Sequence, residues 1–287
     1  MKQETAGWTR PGAEPGTASE AAPITMVATA AGTAAGRAAG GTRAAARPPV
    51  LVDASGPRLP VVERARLRPR YRTILAVDIE GSTARTDAVK AELRRVLYRL
   101  LEEAFNRSGI EEGHREAYVD RGDGMLVLVH PHDEVPKTLL LYPVVPVLSA
   151  LLAEYNSGPM IAPGGDRRIR IRVVVHAGEV HNDGRGNFGE ALDVAFRLLD
   201  SPATKNALRR TGAPLALVVS DDIYHSIVRH GYEGIRAGSY TPVVHLRVTG
   251  RTHQGWVHDA AGLASEGPGA SPGLAARTRR LLNRLAG

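Results

Sequence analysis

Thr73-Ile-Leu-Ala-Val-Asp-Ile-Glu-Gly-Ser-Thr83 is the stretch on which the reading of the fold turns. Its first five residues are a short, β-branched apolar run of the kind buried as a central strand. The run stops at Asp78, and a glycine with two N-cap candidates, Ser82 and Thr83, predicts a turn into a helix. Beyond it Val89, Leu93, Val96, Leu97, Leu100, Leu101, Ala104 and Phe105 recur at three- and four-residue steps, the stripe of an amphipathic helix. Arg121-Gly-Asp-Gly124 then separates two strand-like pieces, the second being Met125–Val129, and Asp-Gly in that setting predicts a hairpin.

Working outward, 139–155 reads as a second helix disturbed by Pro143 and Pro146. Residues 169–175 read as a strand, followed by a loop from Gly178 to Gly189 that holds His181. A helix over 190–199, a strand over 215–219, a helix over 221–229 capped by Ser220, and one or two strands within 243–258 complete the pattern. This order predicts one α+β domain, helices covering a mixed sheet.

The flanks are of another kind. Residues 1–70 are rich in Ala, Gly, Pro and Arg and can bury little, so a disordered tail is expected there. Residues 259–287 read as a linker and a short basic helix, which leaves 71–258 as the domain. The formal charge of +7 sits in these flanks: residues 1–71 carry ten basic and five acidic side chains, whereas 72–258 carry 23 of each. A neutral domain gives no reason to expect nucleic acid as a partner of the core. The chain has no cysteine, which excludes a disulfide framework, a thiolate metal site and a cysteine nucleophile. No apolar run is long enough to cross a membrane and the first residues lack the order of a secretory signal, so a cytoplasmic protein is expected.

Two carboxylates stand out. Asp78 ends an apolar strand, where an acid is costly unless a partner or cation offsets its desolvation. Asp123 sits at a hairpin tip. Paired strands would bring the two to one edge, able to hold Mg²⁺ or Mn²⁺ with phosphate oxygens. The amides of Ile79, Glu80, Gly81, Ser82 and Thr83 would open the helix and cradle phosphate. Helix capping by Asp78 and ordinary turn chemistry at Asp123 account for the same residues equally well.

In order along 72–258, Leu75-Ala-Val-Asp-Ile-Glu-Gly-Ser-Thr83 resembles the first metal motif of the class III nucleotidyl cyclases, the adenylyl and guanylyl cyclases, and Arg121-Gly-Asp-Gly-Met-Leu126 resembles their second. Arg170-Ile-Arg-Val-Val-Val-His-Ala-Gly178 is similar to the strand that follows. Gly189-Glu-Ala-Leu-Asp-Val-Ala-Phe-Arg197 is similar to the Gly-x-x-x-Asn-x-x-x-Arg helix start, and Val219-Ser-Asp-Asp-Ile-Tyr224 to a later strand and helix. The resemblance implies a ferredoxin-like palm working as a head-to-tail homodimer on a nucleoside triphosphate. It implies two Mg²⁺ or Mn²⁺ ions on Asp78, Asp123 and the Ile79 carbonyl, with Arg197 facing the developing phosphate charge from the opposite subunit.

Three positions depart from that pattern. Asp193 stands where the family has a transition-state Asn. Val119 and Gly186 fall where the family reads the purine with a Lys and an Asp, and neither can hydrogen-bond a base through a side chain. Arg247 and Arg251 both suit the basic residue that holds the triphosphate. Two functions are therefore expected: a nucleotidyl cyclase, or a weakened cyclase-like domain serving as a nucleotide-binding sensor. His130, His132 and His181 are expected in surface roles, His176 in or near the core, and Arg170 and Arg172 on a solvated strand face.

Overall fold

The computed structural model describes residues 68–232 and 234–259. The expected tail and the expected C-terminal linker and helix lie outside the described residues, apart from 68–70 and Asp259.

The apolar run becomes the centre of an eight-stranded sheet. Strand β1 (Arg70–Ile79) is flanked on one side by β3 (Gly124–Val129), itself paired with β2 (Val119–Asp120). On its other side lies β4 (Ile171–Asn182), then β6 (Leu215–Ser220), β8 (Arg251–His258) and β7 (Tyr240–Val248). A short β5 (Asn187–Phe188) folds back on the end of β4. The β4–β6 pair is parallel and every other pair is antiparallel, so the sheet is mixed and the architecture α+β.

Both faces of this sheet are covered, which is why β1 is apolar at successive positions rather than at alternate ones. Leu75, Val77 and Ile79 point to a core shared with α1 (Asp87–Arg107) and α2 (Val145–Asn156). Ile74 and Ala76 point the other way, to α3 (Glu190–Asp200) and to apolar residues of β7 and β8. The expected stripe of α1 is its buried face, from Leu93 to Phe105. Gly178 allows α3 to sit this close, since a Cβ there would lie 2.7 Å from that of Ala191.

Five details differ from expectation. The helix does not begin at Ser82 or Thr83: Ser82–Ala84 make one 3₁₀ turn, and α1 begins at Asp87 with Thr86 as its cap, its hydroxyl accepting the Val89 amide. Gly81, in the left-handed region at φ 68°, turns the chain before the helix can start. Strand β4 runs through Gly178 to Asn182, so His181 lies in a strand, stacked on Phe188 of β5. Pro143 lies in an irregular turn, Leu140–Val144, and the regular helix α2 begins only at Val145. Finally, α4 (Pro202–Arg210) is an additional helix, started by Ser201, whose hydroxyl accepts the Thr204 amide, with Pro202 in first position. Helix α5 (Asp221–Ser226) follows β6 and is capped by Ser220 as expected, but it ends before residue 229 in a separate 3₁₀ turn, Val228–His230. No helix among the described residues is long and apolar enough to cross a membrane.

Candidate metal and nucleotide site

Strand pairing brings the two carboxylates together. Asp78 is opposite Gly124 on β3 and opposite Arg172 on β4, and the Ile79 amide donates to the Asp123 carbonyl at 3.0 Å. Gly124 makes this approach possible, because a Cβ there would run into the Val77 carbonyl. The hairpin tip is set by Gly122 in the left-handed region and by its amide donating to the Asp120 carboxylate at 2.8 Å.

The charge at this edge is not balanced within the strand end. The Arg172 guanidinium donates to the Asp78 carboxylate, and both side chains are largely buried, 11% and 18% exposed. Arg172 also lies 3.7 Å from Asp200 at the end of α3, and Lys205 pairs with Asp200 at 3.1 Å. Burial pushes the Asp78 carboxyl up to about 6; Arg172 opposes this, while the charges of Asp123 and Asp200 add to it. One guanidinium therefore does not offset the desolvation of Asp78 and the repulsion from its acidic neighbours. Both arginines of the 170–172 stretch are engaged rather than solvated. Arg170 pairs with Glu80 at 3.1 Å and donates to the carbonyls of Leu208 and Thr211.

The turn after Asp78 offers less than a helix start would. Ile79 is buried in the sheet, Glu80 is taken by Arg170, Ser82 is buried and Thr83 exposed. The amides from Ile79 to Thr83 lead into a single 3₁₀ turn, and the Glu80 amide already donates to the Arg170 carbonyl at 2.8 Å.

A second group of residues lies on the outer side of α3. Asp193 and Arg197 are both exposed, four residues apart. Arg197 donates to the Arg247 carbonyl of β7 at 3.0 Å, and no ion pair joins it to Asp193 among the described residues. Arg247 and Arg251 are exposed on either side of the β7–β8 turn. Between the two groups, Arg121 of the hairpin lies over the Phe196 ring of α3, 3.9 Å from its centroid. Val119 is half-buried on β2 opposite Leu126, against the α3 core. Gly186 is exposed in the β4–β5 turn, its amide donating to the Asp183 carboxylate at 2.9 Å.

The structure thus unites Asp78, Ile79 and Asp123, and separately Arg197 with Arg247. Arg172 and Asp200 belong with the first group; Arg172 was expected on a solvated face, and Asp200 was not named in the sequence reading. The signal for Arg172 was its place between Ile171 and Val173 in a strand too apolar to carry a free cation.

No protein-family model matches the chain, and no curated protein matches it. Among solved structures, it is similar to an adenylate/guanylate cyclase/hydrolase from Silicibacter pomeroyi, at 20% identity and TM-score 0.46 over 71% of this chain and 99% of that one. It is also similar to the guanylate cyclase domain of RhGC from Catenaria anguillulae in complex with GTP, at 15% identity and TM-score 0.45, covering 67% and 97% of the two chains. The adenylyl cyclase CyaB from P. aeruginosa gives 15% identity and TM-score 0.44, covering 67% and 94%.

Proposed function

We propose that the chain is a class III-like nucleotidyl cyclase that converts a nucleoside triphosphate to a 3′,5′-cyclic nucleotide and pyrophosphate at the interface of a homodimer. The observation that carries the reading is the meeting of Asp78 and Asp123 at one sheet edge, in a chain whose other motifs follow in the matching order.

The donor set fits a hard divalent cation. Two carboxylates and the Ile79 carbonyl offer only oxygen, which suits Mg²⁺ or Mn²⁺. A carboxyl raised to about 6 beside a second acid is a group whose ionised form a cation would relieve. When bound, such ions supply positive charge to the ribose 3′-oxygen and to the leaving pyrophosphate.

The remaining work falls to the chain's own side chains. In the reaction the 3′-oxygen forms a bond to the α-phosphorus, the bond from that phosphorus to the bridging oxygen breaks, and the 3′-hydroxyl proton is released. Arg197 would face the charge that grows on the transferring phosphoryl, reaching it from the partner copy, since in one chain it is turned outward. Arg172 brings a cation to the carboxylate edge, and Arg247 or Arg251 would hold the triphosphate. Val119 and Gly186 leave base choice to shape and backbone groups.

The exposed carboxylate of Asp193 favours a second reading, a cyclase-like domain that binds nucleotide and signals by association without turnover. The test is the purified chain with each of the four nucleoside triphosphates and Mn²⁺, scored for cyclic product and pyrophosphate. Product from any one supports the enzyme; binding of nucleotide with no product from any supports the sensor.

A further inference from the structure

Strand β3 leads away from the Asp123 turn, and at about 3.4 Å per residue its far end is roughly 20 Å distant. There, three side chains with metal-binding atoms converge. His114 closes the 3₁₀ turn Glu112–His114, and His132 and Glu134 lie in the loop after β3. One ligand atom from each lies within 4.8 Å of the others. The imidazole rings stand 5.1 Å apart at 52°.

We propose that His114, His132 and Glu134 form a site for a borderline transition-metal ion of the Zn²⁺ class, distinct from the carboxylate edge, which ties the segment entering the β2–β3 hairpin to the loop leaving it.

The backbone already holds these ligands in place. The His130 amide donates to the His114 carbonyl at 2.8 Å, and the Glu116 amide to the Leu128 carbonyl at 2.9 Å, extending the ladder on both sides of Arg115 and Val129. The Val135 amide donates to the His132 carbonyl at 3.0 Å, closing the loop that carries Glu134. Preplaced donors lower the ordering cost of binding.

The remaining adjustments are small. Tetrahedral ligands at Zn²⁺ bond lengths stand roughly 3.3 Å apart, so rotation must close on the order of 1.5 Å. His132 and Glu134 are exposed and free to make it. Each Nδ1 accepts a backbone amide at 3.3 Å, from Glu111 and Glu134, long contacts that ligation can exchange for metal–nitrogen bonds. Two imidazoles and one carboxylate leave the fourth position to water. This set prefers Zn²⁺, Co²⁺ or Ni²⁺ over Mg²⁺, the reverse of the all-oxygen site at Asp78 and Asp123.

The test is a Co²⁺ titration of the full chain without nucleotide, read by visible absorption, with Zn²⁺ competition and melting curves. Wild type is expected to bind one Co²⁺ with a tetrahedral spectrum, displaced by Zn²⁺ and retained in the double variant Asp78→Asn, Asp123→Asn. His132→Ala and Glu134→Gln are expected to weaken it at least tenfold and to lose the Zn²⁺-induced rise in melting temperature. Both changed residues are exposed, and circular dichroism checks the fold. Equal Co²⁺ affinity and spectrum in wild type and both variants, or no tetrahedral Co²⁺ signal in wild type, overturns the site.

Discussion

The edge that carries Asp78 and the outer face of α3 treat charge in opposite ways. At the edge, strand pairing draws Asp78, Asp123 and Arg172 inward, and Arg172 offsets part of the acids' cost within a single chain. On α3, Asp193 and Arg197 point to solvent without pairing with each other, and Arg197 rests on a backbone carbonyl. The first group is assembled by one copy. The second displays a cation that no carboxylate pairs with among the described residues, and on the proposed reading its target comes from a second copy.

The strongest test of this contrast removes the assembled group. Asp123→Ala should abolish Mn²⁺-dependent nucleotide binding, measured by calorimetry, while leaving the fold intact. Asp78→Asn should do the same. Asp78→Ala is a poorer test, because it strips the largely buried Arg172 of its main partner and adds a stability cost. Unchanged Mn²⁺-dependent affinity in both Asp123→Ala and Asp78→Asn would remove the metal assignment.

Next in size is a test of division between copies. Asp123→Ala and Arg197→Ala chains should each be inactive alone. Mixed in equal amounts, half of the dimers pair one of each and hold one intact site of two, so about a quarter of wild-type turnover should return. If mixing restores nothing while both variants still dimerise, Arg197 does not act across the interface.

A smaller effect is expected at Asp193. An ionised carboxylate beside a triphosphate opposes both binding and the charge that develops in reaction. Since Arg197 is not diverted to it, the penalty should be below the 10²–10³ of a lost contact, and Asp193→Asn should raise turnover about tenfold. A loss of turnover instead would make Asp193 a working ligand.

The smallest effect is in stability against pH, and it reads the burial of groups in and beside the sheet. Burial holds His176 and His258 down to about 4. Each contributes stability above the unfolded value near 6.5, lost as pH falls toward 4. Asp78, raised to about 6, has the opposite sign: the native state holds its proton more tightly, so its contribution grows as pH falls from 6 toward 4. Two groups against one predict a net fall in melting temperature from pH 6.5 to 4. His176→Asn should flatten that fall and Asp78→Asn should steepen it. Identical slopes in wild type and both variants would contradict the burial of these groups.

Much of the fold was legible because short-range patterns decide it. The Thr73–Val77 run, the stripe of α1 and the Gly-Asp-Gly hairpin each state their own structure by periodicity and turn chemistry. Where patterns compete, reading failed: Gly178 looked like a strand end but is a point of close helix approach. The start of α4 was announced by Ser201-Pro202, yet its exposed, charged sequence has little apolar stripe to draw notice.

The candidate site divides along the same line. The order of residues alone picked out Asp78 and Asp123, because an acid ending an apolar strand and an Asp-Gly turn are anomalies visible locally, whereas Arg197 was marked only by the family resemblance. Only the tertiary structure decided that Arg172 pairs with Asp78, that Asp200 stands behind it, and that His114 meets His132 and Glu134. Those relations depend on which strands pair and in what register, and register is set by the packing of both sheet faces, a property that no local stretch of sequence contains.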